Sequence, residues 1–272
     1  MGSYKNRLYP RMTERPLRFR LNPYSPLYYG LVLAFLGEGA QEGCTHAIDS
    51  GPYHVPTRHY EGQPAIYEYD SYLGRHVMRV TNDNMRTIRL AYDVVLEYPW
   101  FCSAWAKFHA YDILIAFGGT GGGGRTFFWN PKSVNTIEVA GTNNVVSFPI
   151  LHASVDTTWQ HFAGGTTGTL AFGWFKDKTV SSSAAAIGNF PIRYLHGRES
   201  GLITSRGAMA DLMAWNRPLT DSEGRSLGDP GNVDLRVGGV PLILPPRRRS
   251  WPGITITTQD EVITLPTLLA EC

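Results

Sequence analysis

The sequence predicts an all-β fold, an antiparallel sandwich, and three observations carry that expectation. Gly (29) and Pro (18) are plentiful, aromatic residues reach 12% and charged residues only 18%. Many short strands joined by tight turns give this profile, whereas a helical chain carries more charge. Strand-like segments recur about every ten residues with turn signals between them. Within several of them apolar and polar residues alternate. The 272 residues suit one large all-β domain or two small ones, and a hydrophobic content of 43% can bury a sizeable core.

Residues 1–26 read as an extended basic arm punctuated by Pro10, Pro16, Pro23 and Pro26. "YYGLVLAFLGEG" (28–39) reads as a strand, and a turn-rich stretch runs through "IDSGPYHVPTRHYEG" (48–62). "RHVMRVT" (75–81) and "RTIRLAYDVVLEY" (86–98) follow, the latter with Ile88, Leu90, Tyr92 and Val94 on one face. "FCSAWAKFHA" (101–110) alternates Phe101, Ser103, Trp105 and Lys107 against Cys102, Ala104, Ala106 and Phe108. "DILIAFGG" (112–119) comes at hairpin distance. Further strands are expected at 126–130, 135–141, 144–150, 159–166, 170–177 and 209–215. In the last, Met209, Asp211, Met213 and Trp215 are expected on one face and Ala208, Ala210, Leu212 and Ala214 on the other.

"NRPLTDSEGRSLG" (216–228) then starts one short helix. Thr220 caps it, Glu223 completes a capping box, Leu219 takes the staple position and Gly228 stops it. Residues 229–272 are Pro/Gly-rich and read as an extension outside the sandwich. "ITITTQDEVITL" (254–265) is its one candidate hairpin.

Net charge is +2, but the positive charge collects at the two ends. Lys5, Arg7, Arg11, Arg15, Arg18 and Arg20 face one acid, Glu14, within the first twenty residues. Arg247, Arg248 and Arg249 form a second cluster. Solvated ends and arms that dock on an acidic partner both fit; Phe19 and the interleaved Leu and Tyr residues give such an arm something to bury. The three cysteines, Cys44, Cys102 and Cys272, show no metal or disulfide spacing. They read as free thiols of a protein made in a reducing compartment, with Cys102 in the core. The basic start is not followed by a signal-peptide apolar run, and "GLVLAFLG" is too short to span a bilayer.

No motif makes a positive case for catalysis. "GTGGGGRT" (119–126) has Arg125 where a phosphate-binding loop needs Lys, and β-prone "FFWNP" where it needs a helix. A hairpin tip fits better. In "EYDSYL" (68–73), Glu68 and Asp70 share a face if this is a strand, as paired glycosidase carboxylates would. An exposed loop or edge strand is the simpler reading. The eight histidines show no zinc spacing.

Four segments together resemble the laminin-G-like, or concanavalin A-like, jelly-roll superfamily. They are "YYGLVLAFLGEGA" with "AIDSGPYH", "FCSAWAKF", "TTWQHFAGGTTGTLAFGWFKD" and "MADLMAWNRPLTDSEGRSL". The resemblance covers about 27–228. It implies a jelly-roll sandwich there, between the basic arm (1–26) and the extension (229–272). It departs from the pattern at "KDKT", where the family turns on Asp-Gly, and at Pro52 and Tyr53, where it has Gly and Asn. Many relatives hold a structural calcium ion, and the matching positions are Asp49 and Asp211. Two carboxylates alone do not supply calcium's six or more oxygens. Members bind glycans, bind proteins or serve as structural modules. Sugar binding needs an exposed aromatic platform, for which Trp129, Trp174 and Tyr194 are candidates.

A domain of this kind with basic ends and no signal peptide is similar to structural proteins of tailed phages. The expected function is therefore a non-enzymatic virion protein, a capsid decoration (cement) or tail component, made in the host cytoplasm and docking through its arms. Expected partners are other virion proteins, the major capsid protein or tail proteins, and further copies of the chain, rather than nucleic acid or a membrane. The alternative is a carbohydrate-binding module that takes host glycans. A glycosidase on the same fold is the third reading.

Overall fold

The computed structural model describes residues 20–36, 47, 49–59, 63–64, 66–80, 85–86, 88–108, 114–119, 126–130, 136–142, 145–149, 158–167, 170–175, 178–181, 187–197, 207–229, 236–237 and 256–257. Twenty strands run in chain order: β1 (Arg20–Leu21), β2 (Leu31–Phe35), β3 (Thr57–His59), β4 (Gln63–Pro64), β5 (Ile66–Asp70), β6 (Arg75–Val80), β7 (Met85–Arg86), β8 (Ile88–Leu96), β9 (Phe101–Phe108) and β10 (Leu114–Gly118). There follow β11 (Thr126–Asn130), β12 (Thr136–Ala140), β13 (Val145–Pro149), β14 (Gln160–Thr167), β15 (Leu170–Phe175), β16 (Lys178–Ser181), β17 (Phe190–Leu195), β18 (Gly207–Trp215), β19 (Arg236–Val237) and β20 (Ile256–Thr257). Among the described residues there are also a helix, α1 (Asp221–Leu227), and a 3-10 turn (Pro26–Tyr28).

Two eight-stranded antiparallel sheets make the all-β sandwich that the sequence predicts. One has the order β13-β12-β11-β10-β17-β8-β20, with β3 also on β8; the other has β16-β15-β14-β9-β18-β6-β5, with β2 also on β18. Between them lies the main core, to which β9 gives Cys102, Ala104 and Ala106, and β8 gives Ile88, Leu90 and Val94. Cys102 is buried there as a free thiol. In the facing sheet β10 pairs antiparallel with β11, so the segment after 120–125 is a strand where a phosphate-binding loop requires a helix.

The other face of the β9 sheet is also covered. Phe101, Phe172 and Trp215 on it pack with Leu27 of the 3-10 turn, Leu219, and Leu227 of α1. The helix thus lids a sheet face that is too apolar to meet water. Thr220 caps it as expected, with the reciprocal Glu223 bond in place, and Gly228 ends it. Leu219 makes no staple, because the position four residues into the helix is Gly224. It packs into the sheet-covering cluster instead.

Two expectations are corrected. β9 and β10 do not form a hairpin, since they lie in opposite sheets. β18 does not keep one alternation along its length: a bulge at Asp211 (φ 49) shifts the register between Ala210 and Met213. Met209 therefore points into the core with Leu212 and Ala214, while Ala208 and Ala210 share the outer side with Met213 and Trp215. At that bulge the neighbour of β18 changes from β6 to β2. Short described segments of the arm and the extension also pair. Arg20–Leu21 pairs with Arg236–Val237, joining arm to extension, and Ile256–Thr257 pairs with β8.

Candidate functional site

Asp49 ties the loop 49–55 to the edge of β2. Its Oδ1 accepts the amides of Ala34 (2.9 Å) and Gly51 (2.8 Å), and its Oδ2 accepts that of Val55 (2.9 Å). Ser50 N–H donates to Ala34 O at 2.8 Å, so loop and strand are zipped from both sides. Gly51 has to be Gly, as a Cβ there would stand 2.8 Å from Asp49 Oδ1 and 3.0 Å from Val32 O. Burial pushes the Asp49 carboxyl up to about 6 against the pull of its three amide donors and of His54. His54 takes left-handed backbone (φ 47) as the loop closes, and its Nδ1 lies 3.2 Å from Asp49 O.

The second wall is the segment 22–30. Ser25 caps the 3-10 turn by accepting Leu27 N–H, with Pro26 at the first turn position. Trp215 Nε1 donates to Leu27 O at 2.7 Å. Arg217 donates to the carbonyls of Pro26 (2.8 Å), Tyr29 (2.6 Å) and Pro218 (3.0 Å), and grips both oxygens of Glu223. One arginine across four partners fixes the segment to the start of α1. Asn216 N–H closes it by donating to Gly30 O.

These two anchored walls carry tyrosines. Tyr24 (77% exposed) and Tyr29 (62%) stand in solvent, and the Arg217 guanidinium lies 5.7 Å from the Tyr29 ring centroid. Tyr28 and Tyr53 are half-buried, and burial pushes both phenols up, the Tyr53 phenol further by its neighbour Tyr28. A smaller pair, Tyr69 (60%) and Tyr72 (65%), sits at the β5–β6 turn. That turn is set by Asp70 Oδ1, which accepts the amides of Tyr72 and Leu73. Exposed aromatics on fixed backbone are what a binding surface needs, since little side-chain freedom is lost on contact.

The residues singled out from sequence fall elsewhere. Tyr194 is 3% exposed and cannot be a platform, because β17 is a central strand buried along its whole length. Trp129 is in β11 and Trp174 in β15, in opposite sheets, in register with Ile137 and Ala163 respectively; their side chains lie outside the described residues. The three do not form one surface. Asp49 and Asp211 do not form a calcium site either. Asp49 has its oxygens filled by three N–H donors, and Asp211 pairs with buried Arg75 at 3.1 Å. A cation needs oxygens where these carboxylates meet nitrogen donors. Among the described residues no group of three or more His, Cys, Asp or Glu could hold a metal ion.

Glu68 is locked to Arg79, and Asp70 sets its turn and lies 3.8 Å from Lys107, so neither carboxylate is placed as a glycosidase acid. Ser103 Oγ is 2.8 Å from His161 Nε2, but both are buried beneath Trp105, and burial pushes the ring down to about 3. It is a core polar pair. Of the docking residues, Lys5, Arg7, Arg11, Arg15, Arg18, Phe19, Arg247, Arg248 and Arg249 lie outside the described residues; Arg20 is in β1. No helix among the described residues is long and apolar enough to cross a membrane.

No protein-family model and no curated protein matches the sequence. Solved structures do share its fold. The binding domain of Paraclostridial Mosquitocidal Protein 1 superposes with a TM-score of 0.54 at 12% identity, over 74% of this chain and 52% of that one. Domain 4 of AbnA, a GH43 extracellular arabinanase from Geobacillus stearothermophilus solved with arabinotriose, gives 0.50 at 16% identity, over 73% and 100%. The binding domain of botulinum neurotoxin DC, in complex with rat synaptotagmin II, gives 0.50 at 9% identity, over 74% and 51%. The chain therefore spans about half the length of the two toxin domains and the whole of the arabinanase domain. At these identities the likeness shows the fold alone: the protein is a β-sandwich of the architecture used by binding domains.

Proposed function

We propose that the protein is a non-catalytic, glycan-binding β-sandwich module, and that the tyrosine edge formed by 22–30 and 49–55 is its binding surface. One observation carries this reading. Tyr24 and Tyr29 stand exposed on a segment that Arg217 and Trp215 hold rigidly. Tyrosine offers a flat apolar face and a hydroxyl, which together match the two sides of a sugar. The arabinanase domain solved with arabinotriose supports it, as a module of the same fold matched over its whole length by 73% of this chain. A glycan array probed with the full chain tests it: saturable binding to at least one oligosaccharide is expected, and silence across the array would defeat it.

A second reading, a tailed-phage virion protein made in the host cytoplasm and docking through its ends, draws on one feature. Residues of the arm and of the extension pair with each other, Arg20–Leu21 with Arg236–Val237. Stoichiometric copies in purified particles would support it; their absence would remove it.

A further inference from the structure

We propose that the tyrosine edge takes an uncharged sugar, held by ring stacking on Tyr29 and Tyr24, and that acidic sugars gain nothing there. This rests on the glycan-binding reading above and narrows it to a ligand class. Two charged side chains at the edge, Arg217 and Asp49, are already committed to partners within the fold. Arg217 spends its guanidinium on Glu223 and on the carbonyls of Pro26, Tyr29 and Pro218. Asp49 has both oxygens turned to backbone amides. An acidic sugar thus finds no available arginine among the described residues of the edge, and displacing Glu223 from Arg217 would break a two-point ion pair largely shielded from water.

What the edge does offer is neutral. The half-buried Tyr28 and Tyr53 phenols are neutral groups that can donate and accept hydrogen bonds. The Tyr29 ring is steadied from one side by Arg217 at 5.7 Å, yet keeps most of its surface in water. Cation and ring together make the ring a pre-set platform, on whose electron-rich face the C–H side of a neutral pyranose or furanose packs. His54 is exposed at the rim.

The test pairs neutral oligosaccharides with their sialylated counterparts, lactose against 3′-sialyllactose among them, together with arabinotriose. Binding to the full chain is measured by titration calorimetry at low and high salt, with Tyr29→Ala, Tyr24→Ala and, as a control, Tyr72→Ala. The expected result has three parts. Each neutral sugar that binds does so at least as tightly as its acidic partner. Affinity changes less than about twofold between about 0.05 and 0.5 M salt, as no ion pair is made. Tyr29→Ala weakens binding by about tenfold or more, while Tyr72→Ala leaves it unchanged. A clear preference for the sialylated partner with steep salt dependence would overturn the uncharged-ligand proposal and leave glycan binding intact. Binding that survives both Tyr29→Ala and Tyr24→Ala would overturn the site. Failure of every sugar to bind would end the underlying reading and this proposal with it. Melting curves of the tyrosine variants should match the parent, since both rings are exposed.

Discussion

Replacing Asp49 by Ala removes the clasp of the 49–55 loop, and its cost can be worked from the contacts. Three buried amides, of Ala34, Gly51 and Val55, lose their acceptor. At about 2 kcal/mol for each orphaned donor the gross loss is about 6 kcal/mol. Against this, the parent keeps a buried carboxylate ionised at neutral pH, with its pKa moved from 3.8 up to about 6 by burial. That strain is worth about 3 kcal/mol and disappears with the side chain, leaving a net destabilisation of about 3 kcal/mol at pH 7. The pH dependence is more diagnostic than the size. The folded carboxyl binds its proton before the unfolded one as pH falls, so the contribution of this group to stability grows through pH 6 and is complete below 3.8. Between pH 7 and pH 5 the parent should gain about 1.3 kcal/mol relative to the variant. Urea unfolding of both proteins at the two pH values, followed by the fluorescence of buried Trp100 and Trp215, measures the gap. A gap that narrows toward pH 5 would show that the three amides outweigh burial and that the reasoning has the wrong sign. A gap under about 1 kcal/mol at pH 7 would show that the loop does not depend on the clasp.

Three further outcomes follow from the same contacts. Asp211→Ala leaves the Arg75 guanidinium buried without its carboxylate at the bulge, and should cost about 3 to 5 kcal/mol in urea unfolding. His161 and His196 are pushed by burial down to about 3 and about 4, so both stay neutral in the fold. Their stabilising effect is complete above 6.5 and drains away as pH falls, by about 1.4 kcal/mol per pH unit for each ring, which stability curves between pH 6 and 5 in an Asp49→Ala background would isolate. Gly165→Ala places a Cβ 2.2 Å from Trp100 O and should fail to fold or melt far lower, whereas Gly173→Ala, whose nearest atom is a side-chain carbon of Phe148 at 3.2 Å, should be much milder by calorimetry.

Much of the sandwich was legible because its strands alternate or are marked by turn residues. β9 and β8 carry their core faces in plain period two, and Thr220 with Glu223 spells the helix start. β17 was not legible: its run "FPIRYL" is buried on both faces, so it shows no alternation, and Pro191 argues against a strand. Missing that strand left Tyr194 free to look like a platform. The turn at Asp211 was invisible for another reason, as an aspartate in left-handed backbone reads in sequence like any outward polar residue. The tyrosine edge escaped notice because its parts come from two separated stretches and depend on exposure. Pro23 and Pro26 looked like punctuation of a loose arm, whereas Pro26 opens the turn that Trp215 and Arg217 secure. The Asp-x-Gly loop resembles that of the calcium-holding relatives, but its carboxylate faces three backbone amides and serves the loop.

The central claim, that the edge beside β2 is a glycan-binding surface, is tested most directly by residue-resolved amide NMR of the labelled full chain. It would be titrated with the neutral oligosaccharide that binds best on the array. Shift changes confined to residues 22–30 and 49–55, absent when the Tyr29→Ala variant is titrated, are the result expected. Changes centred on the β5–β6 turn at Tyr69 and Tyr72, or none at any residue under saturating sugar, would contradict it.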